Sequence, residues 1–244
     1  MVAIPGAALQ LQTEFRIREC GFLEPPDTAL FDRPHLHSHQ TFRRQVTLPA
    51  FAIDLAPVTN AQYAEFLNAS RYHPDDPEHF LAHWHAGRPP AGLEDHPVVY
   101  VDLNDARAYA QWAGKRLPTE DEWQYAAEGP DGRRYPWGSS LVPGAYNDGS
   151  SGGTTPVRAY PGGRSAFGCY DMCGNVWQWT ESEHRDGHTR FCIVRGGAYY
   201  QAQGSDWYAD GGPVACRFAA KFLLMWPGVD RCATVGFRCV LDLE

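Results

Sequence analysis

Long apolar runs are missing from this sequence of 244 residues. None approaches the roughly 20 consecutive apolar residues that a membrane-spanning helix needs. The first residues, MVAIPGAALQLQTEF, also lack a basic region followed by an apolar core, which is the pattern of a secretory leader. We therefore expect no contact with a membrane and a cytoplasmic location.

Positive charge is also scarce. The sequence carries 21 lysines and arginines against 29 aspartates and glutamates, for a formal net charge of -8. Proteins that bind phosphate backbones or anionic lipids without sequence preference have the opposite balance. We expect no nucleic-acid partner and favour a small-molecule or peptide ligand, while a protein partner stays open.

Closely paired cysteines are absent too. The chain has 7 cysteines, an odd number, with no CxxC motif. They are spread along a long chain rather than concentrated in a short one, as a disulfide framework would be. Free cysteine behaves as a small hydrophobic residue. We expect mostly buried thiols, with one or two disulfides as the alternative.

Glycine, proline and aromatic residues are plentiful. There are 24 glycines and 19 prolines, with 8 tryptophans, 12 tyrosines and 12 phenylalanines. This composition favours short strands and structured loops over a helical bundle. Three segments have the apolar spacing and the caps of helices: residues 59–70, 102–113 and 119–128. We expect one domain over residues 1–244, with loops and brief strands from about Tyr135 onwards.

Several motifs in order resemble the formylglycine-generating enzyme, or sulfatase-modifying factor, family. They include PVTNAQYAEFL, the segment from HPVVYVDLND to DEWQYAA, YPWG, GCYDMCGNVWQWT, VRGGAY and VGFRC. The resemblance covers residues 45–240. It implies an α/β fold: a single loop-rich sulfatase-modifying-factor domain related to the C-type lectin fold, usually with bound calcium.

The segment 194–212, VRGGAYYQAQGSDWYADGG, is where the resemblance places the chemistry of the family's enzymes. In those enzymes two cysteines bind copper and oxidise a substrate cysteine with oxygen. Gln201 and Asp206 stand at the two cysteine positions, Ala198 replaces a serine and Thr234 replaces an asparagine. A copper(I) site prefers thiolates, which an amide and a carboxylate do not supply. We expect that the cleft persists without this oxidation.

The same segment also predicts a concave binding site. Aromatic side chains around a few hydrogen-bonding groups are typical of such sites. We expect Asp206 to be the main polar anchor, paired with Arg217, Lys221, a ligand amine or a metal ion. The predicted ligand-binding residues are Trp177, Tyr199, Tyr200, Gln201, Asp206, Trp207, Tyr208 and Arg217.

The resemblance implies two calcium sites, each incomplete here. Calcium takes six to eight oxygen ligands with enough carboxylate to offset its dehydration. Gln178 stands where the family has a glutamate, and the second site lacks its usual acid. The alternative for both is a hydrogen-bonded Asx turn. The predicted ligands are Asp171, Gly174, Val176 and Gln178 at the first site, and Asn147 and Asp148 at the second.

Iron or copper bound by other residues is a further hypothesis. His35, His37 and His39 alternate and would share one face of a strand, whereas His79 and His83 have the i, i+4 spacing of a helix. The alternative for both groups is a solvated surface, which the polar surroundings favour. A displaced cysteine pair drawn from Cys192, Cys216 and Cys232 is a third source of ligands.

Three functions therefore stay open. The first is a divergent family member that binds a small molecule or peptide in the cleft and does not convert cysteine to formylglycine. The second is a mononuclear iron or copper oxygenase or oxidase, since the resemblance includes relatives whose extra three-histidine domain binds iron. The third is a structural paralogue that modulates a true family enzyme. Fold alone does not choose among them.

Overall fold

The computed structural model describes residues 1–16, 38–185, 190–201, 211–224 and 230–243. Three α-helices are described, α1 (Asn60–Ser70), α2 (Leu103–Trp112) and α3 (Glu120–Glu128), with a short 3-10 helix at Pro161–Gly163. The strands of the described ranges are β1 (Val2–Ile4), β2 (Ala7–Arg16), β3 (His39–Leu48), β4 (Phe51–Ile53), β5 (Trp177–Arg185), β6 (Arg190–Arg195), β7 (Gly197–Ala198), β8 (Gly212–Pro213), β9 (Ala219–Leu223), β10 (Val235–Phe237) and β11 (Val240–Asp242).

The three helices confirm the predictions from spacing and caps. Each begins with a capping box, in which the N-cap side chain accepts from the third helical N–H and the third side chain accepts from the N-cap N–H. Thr119 and Glu122 form the box of α3. Because these bonds are local, the sequence around each helix start was sufficient to locate it.

The segment around His79 and His83 is not a helix, and that expectation was wrong. Residues 78–83 form turns, and His79 and Leu81 have φ angles of 57° and 48°. A left-handed backbone at two of these positions is incompatible with a right-handed helix. The i, i+4 spacing therefore does not bring the two imidazoles together on one helix face.

The largest sheet has the strand order β10-β5-β6-β9. β5 pairs with β10 in parallel and with β6 antiparallel, and a bulge lies between Trp179 and Glu183. Helices α1 and α2 contribute Tyr63 and Tyr109 to the core beside this sheet, where they pack on Phe237. The nine residues of β5 exceed the brief strands predicted for this half.

A long antiparallel ribbon, β2–β3, lies outside that sheet and was not predicted. Its ten residue pairs run from Ala7 opposite Leu48 to Arg16 opposite His39. β2 buries Leu11, Thr13 and Phe15, which alternate along the strand. This period of two is the signal that could have identified the strand. The ribbon packs on α3 and β9, next to a cavity.

A third sheet, β1-β4-β11, joins both ends of the described chain. It packs with α3 in a second core around the fully buried Trp123, Phe51 and Ile53. The mixed α/β, loop-rich fold class predicted above is confirmed. Across the described ranges, no helix has the length and apolar character to cross a membrane.

Candidate functional site

The segment 194–212 leaves β6, turns sharply and returns as β8. Gly196 and Gly197 have φ angles of 98° and 74°, which favour glycine. Gly197 and Ala198 then pair with Pro213 and Gly212. The N–H of Gly212 donates to the carbonyl of Tyr200 at 3.1 Å, which closes the base of the loop. The predicted anchor Asp206, with Trp207 and Tyr208, lies outside the described residues.

The described members of the predicted ligand site differ widely in exposure. Trp177 is buried at the start of β5, where its N–H donates to the carbonyl of Thr234 at 2.8 Å. Tyr199 is half-buried and its N–H donates to the carbonyl of Asn175. Tyr200 is 58% exposed and Gln201 is also exposed. Among the described residues of this segment, Tyr199 and Tyr200 are therefore the aromatic side chains that reach solvent.

Arg217 lies among groups of a different region. Its Nε is 3.0 Å from Oε1 of Glu14 in β2, and its carbonyl accepts from the N–H of Glu14 at 2.9 Å. Lys221 Nζ lies 4.8 Å from the ring centroid of Phe15. Both cations predicted as partners of Asp206 thus make contacts with the β2–β3 ribbon.

A group of side chains beside Tyr199, which we call the Cys232 group, was not recognised from sequence. It consists of His83, Tyr100, Tyr199, Cys232 and Thr234. Cys232 is half-buried, and its Sγ lies 3.4 Å from Oγ1 of Thr234. Thr234 is the residue that stands where the family resemblance places asparagine. The N–H of Tyr100 donates to the carbonyl of Cys232 at 3.0 Å, and its ring stacks on His83 at 5.3 Å.

Burial shifts the pKa of two members of this group, His83 and Tyr199. It lowers the pKa of His83 to about 4, so the imidazole is neutral near pH 7. Its Nδ1 is buried and has no hydrogen-bond partner in the described ranges. Burial raises the pKa of Tyr199, and the neighbouring Tyr100 and Cys232 raise it further. The group therefore offers neutral hydrogen-bonding side chains and one thiol.

The remaining described cysteines are structural in character. Burial raises the pKa of Cys173 and of Cys192 to about 12. All six described cysteines are free, and the five apart from Cys232 are buried: Cys169, Cys173, Cys192, Cys216 and Cys239. The expectation of mostly buried thiols is confirmed for these six.

At the first predicted calcium site, the side chain of Gln178 is engaged in hydrogen bonds within the protein. Gln178 Oε1 accepts from Trp123 Nε1 at 2.9 Å and from Arg238 Nε at 2.6 Å, while its Nε2 donates to the carbonyl of Asp171 at 2.6 Å. Gln178 does not fit as a calcium ligand because its oxygen already has two donors. Ligation by Asp171 and the carbonyls of Gly174 and Val176 stays a prediction.

Asp171 itself is held by neutral donors. Its carboxylate accepts from the N–H of Arg158 and from Asn175 Nδ2, each at 3.3 Å. Burial raises its pKa, against the lowering effect of the Arg238 guanidinium and these donors. The guanidinium supplies a positive charge at this position within the protein itself.

The second predicted calcium site has the geometry of an Asx turn. Asn147 Oδ1 accepts from the N–H of Gly149 at 3.0 Å and from Ser151 Oγ at 3.3 Å. Asp148 accepts from the N–H and hydroxyl of Ser150, which lower its pKa. Asn147 and Asp148 therefore satisfy their loop, and a role for them as calcium ligands stays a prediction.

The histidine hypotheses gain no ligand set from the structure. His39 is the first residue of β3, and His35 and His37 lie outside the described residues. Within residues 1–16, 38–185, 190–201, 211–224 and 230–243, no three side chains of histidine, cysteine, aspartate or glutamate are grouped to hold a metal ion.

Comparison with known proteins connects this geometry to a family. The model of the sulfatase-modifying factor enzyme 1-like domain matches residues 1–243. The inactive C-alpha-formylglycine-generating enzyme 2 of Bos taurus is 32% identical over 250 residues, covering 82% of this chain and 76% of the relative. The formylglycine-generating enzyme of Streptomyces coelicolor is 33% identical over 265 residues, covering 82% and 80%.

A solved structure supports the fold. PvdO from Pseudomonas aeruginosa superposes with a TM-score of 0.66 at 22% identity, covering 99% of this chain and 93% of its own. The motifs quoted from the sequence, the capped helices and the glycine turn after β6 thus occur within one recognised domain. The chain belongs to the family of the sulfatase-modifying factor enzyme 1-like domain.

Proposed function

We propose that the chain binds a small molecule or peptide at the family cleft, beside the Cys232 group, and does not oxidise cysteine to formylglycine. Gln201 carries this proposal. It occupies a position where the family resemblance places a copper-binding cysteine, and it is exposed next to Tyr200. An amide oxygen is a poor ligand for copper(I) compared with a thiolate.

The surrounding groups support binding rather than redox chemistry. Tyr199 and Tyr200 add aromatic area, and Tyr100 and His83 add neutral polar atoms. Binding sites typically combine such apolar surface with a few directional polar groups. Cys232 is half-buried and free, and its Sγ contacts the hydroxyl of Thr234.

The absence of oxidation is tested with a Cys-x-Pro-x-Arg peptide, oxygen and copper, using mass spectrometry to detect formylglycine. We expect no conversion, while the Streptomyces coelicolor enzyme, assayed in parallel, converts the peptide. Conversion by this chain at a comparable rate would refute this part of the proposal. The double variant Gln201→Cys and Asp206→Cys restores both cysteine positions. We expect it to stay inactive because Ala198 and Thr234 also differ from the family.

Binding is tested by protection of Cys232 from alkylation. Peptide mapping measures the rate at each cysteine separately, so the buried Cys192 provides an internal reference for unfolding. Thiol reactivity requires access, and we expect the same peptide with serine in place of its cysteine to slow alkylation at Cys232. Tyr199→Ala should remove the protection, whereas unchanged alkylation at saturating peptide would contradict a peptide ligand beside this group.

A second candidate is modulation of an active family enzyme. The similarity to a relative described as inactive favours it, because both chains would keep the domain without the oxidation. Co-elution with an active formylglycine-generating enzyme, together with a change in its rate, would support this candidate.

Metal analysis of the purified chain tests the cofactor predictions: calcium alone agrees with either candidate, and stoichiometric iron or copper would favour the oxygenase hypothesis.

A further inference from the structure

A cavity of about 210 Å³ lies between the β2–β3 ribbon and the β6–β9 part of the main sheet. Phe15 and Phe42 line it from the ribbon, with ring centroids 5.1 Å apart and planes only 5° from parallel. Ile193 and Ala219 line it from the sheet. The cavity is smaller than the about 300–1,000 Å³ of pockets for drug-sized molecules, so it suits a ligand of about one ring.

The charge of this cavity is opposite to that of the whole chain. Arg43, Arg44 and Lys221 line it, with Glu120 as the one acidic residue among its described lining. Lys221 places its ammonium 4.8 Å from the Phe15 ring centroid, a cation–π contact at the cavity wall. Arg44 is paired with Glu120 and Asp121, and the cations around the cavity still outnumber these two acids. In a protein with a net charge of -8, this position is therefore favourable for a small anion.

Arg195 adds buried positive charge next to the cavity. It is fully buried, lies opposite Ala219 in the β6–β9 pairing, and its Nη2 donates to Oε2 of Glu120 at 2.7 Å. Its Nε and Nη1 have no hydrogen-bond partner among the residues that the structure describes. These buried donors lack an acceptor in the described part of the chain, so Glu120 and Gln124 compensate only one of the three guanidinium nitrogens beside the cavity.

We propose that this cavity binds a small organic anion whose carboxylate is attached to a flat apolar group. The ring would lie against Phe15 and Phe42, and the carboxylate would face Lys221 and Arg43 within the field of Arg195. This site is separate from the Cys232 group, and the proposal does not depend on the function proposed above. Its ligand class is inferred from the stacked aromatic rings and the excess of cations that line a small cavity.

The chain has two lysines, Lys115 and Lys221, which makes the test direct. Reductive methylation with ¹³C-formaldehyde labels both ε-amines and preserves their charge. Benzoate is the probe, and benzamide is its uncharged match. We expect benzoate to shift the Lys221 signal saturably and to leave the Lys115 signal in place, because Lys115 is paired with Asp54 elsewhere. Benzamide should cause no comparable shift.

Lys221→Met tests the same site by ligand-observed NMR, with Lys115→Met as the control for the lost charge. The first variant should weaken benzoate binding about fivefold or more, since a desolvated charge pair and a cation–π contact are both lost. Lys115→Met should bind like the unmodified chain. An unmoved Lys221 signal, an equal response to benzamide, or equal weakening by both variants would overturn the proposal. The signal in the unmodified sequence decides the question if Lys221→Met does not fold.

Discussion

Two fully buried arginines, Arg238 and Arg195, differ in how completely their guanidinium groups are hydrogen-bonded. Arg238 uses all three guanidinium nitrogens: it donates to Gln178 Oε1 at 2.6 Å and to the carbonyls of Asp54, Tyr170 and Asp171 at 3.0, 2.6 and 3.4 Å. Arg195 uses only Nη2, which donates to Glu120 and to Gln124 Oε1. Burial lowers the pKa of both.

The difference separates a closed centre from an open one. Around Arg238 the acceptors are mostly backbone carbonyls, so the guanidinium fixes the segment that the family resemblance assigns to calcium. Around Arg195 a carboxylate balances the charge while two nitrogens stay unpaired in the described ranges. The hydrogen-bond network of Arg238 is complete, and a fully satisfied buried network is rigid. The network of Arg195 is incomplete and lies beside the cavity described above.

The largest effect is expected at the closed centre. Arg238→Met should lower the free energy of unfolding by about 3–5 kcal/mol, because Gln178 and three carbonyls lose a buried donor. Urea unfolding measures it, with the exposed Arg88→Met as the control. A loss below about 1 kcal/mol would mean that these acceptors find other partners.

Removing the carboxylate from the open centre should have the next largest effect. Glu120→Gln should cost about 2–3 kcal/mol, because it leaves the buried Arg195 guanidinium without its anionic partner. The double variant with Arg195→Met should recover most of this loss. Glu181→Gln, in an exposed pair with Arg107, is the matched control and should change stability by less than about 1 kcal/mol. Additive losses in the double variant would contradict the coupling.

A pH dependence should follow from Glu128, which lies in the same network. Burial raises its pKa from an ordinary 4.5 to about 7, although Gln124 Nε2 donates to it at 2.7 Å. The folded state therefore binds this proton more tightly, and stability should fall by on the order of 3 kcal/mol as pH rises from about 4.5 to about 7.

Glu128→Gln isolates this contribution, because it keeps the shape of the side chain and removes its titration. The difference in unfolding free energy between the variant and the original chain should grow across that pH window. A difference that does not vary with pH would show that Glu128 titrates alike in the folded and unfolded states.

The smallest effect is expected for Arg195→Met. The substitution removes one partner of the ion pair, which by itself destabilises, but it also removes two unpaired buried donors, and the carboxylate that remains is 20% exposed. Arg44 also pairs with Glu120, at 3.1 Å, so the carboxylate keeps a cation. We expect a change within about 1 kcal/mol by urea unfolding. A loss equal to that of Arg238→Met would remove the distinction between the two arginines.

Local patterns predicted local structure well. The caps of the three helices and the buried character of the cysteines depend on neighbouring residues or on the nature of one side chain. The family and the α/β fold class followed from ordered motifs. The pattern at His79 and His83 was misleading because spacing alone does not reveal a left-handed backbone.

Pairs distant in sequence were beyond these patterns. The sequence alone determined the family, the helix starts and the replacement of the oxidising positions by Gln201 and Asp206, because each is a property of adjacent residues or of a motif. Only the tertiary structure decided that Gln178 accepts a hydrogen bond from Arg238, that Arg217 forms an ion pair with Glu14, and that Phe15 and Lys221 line one cavity. Such contacts depend on how strands far apart in the chain are paired. The sequence offers each polar side chain many chemically equivalent partners, and the pairing of the strands decides which of them lies within reach.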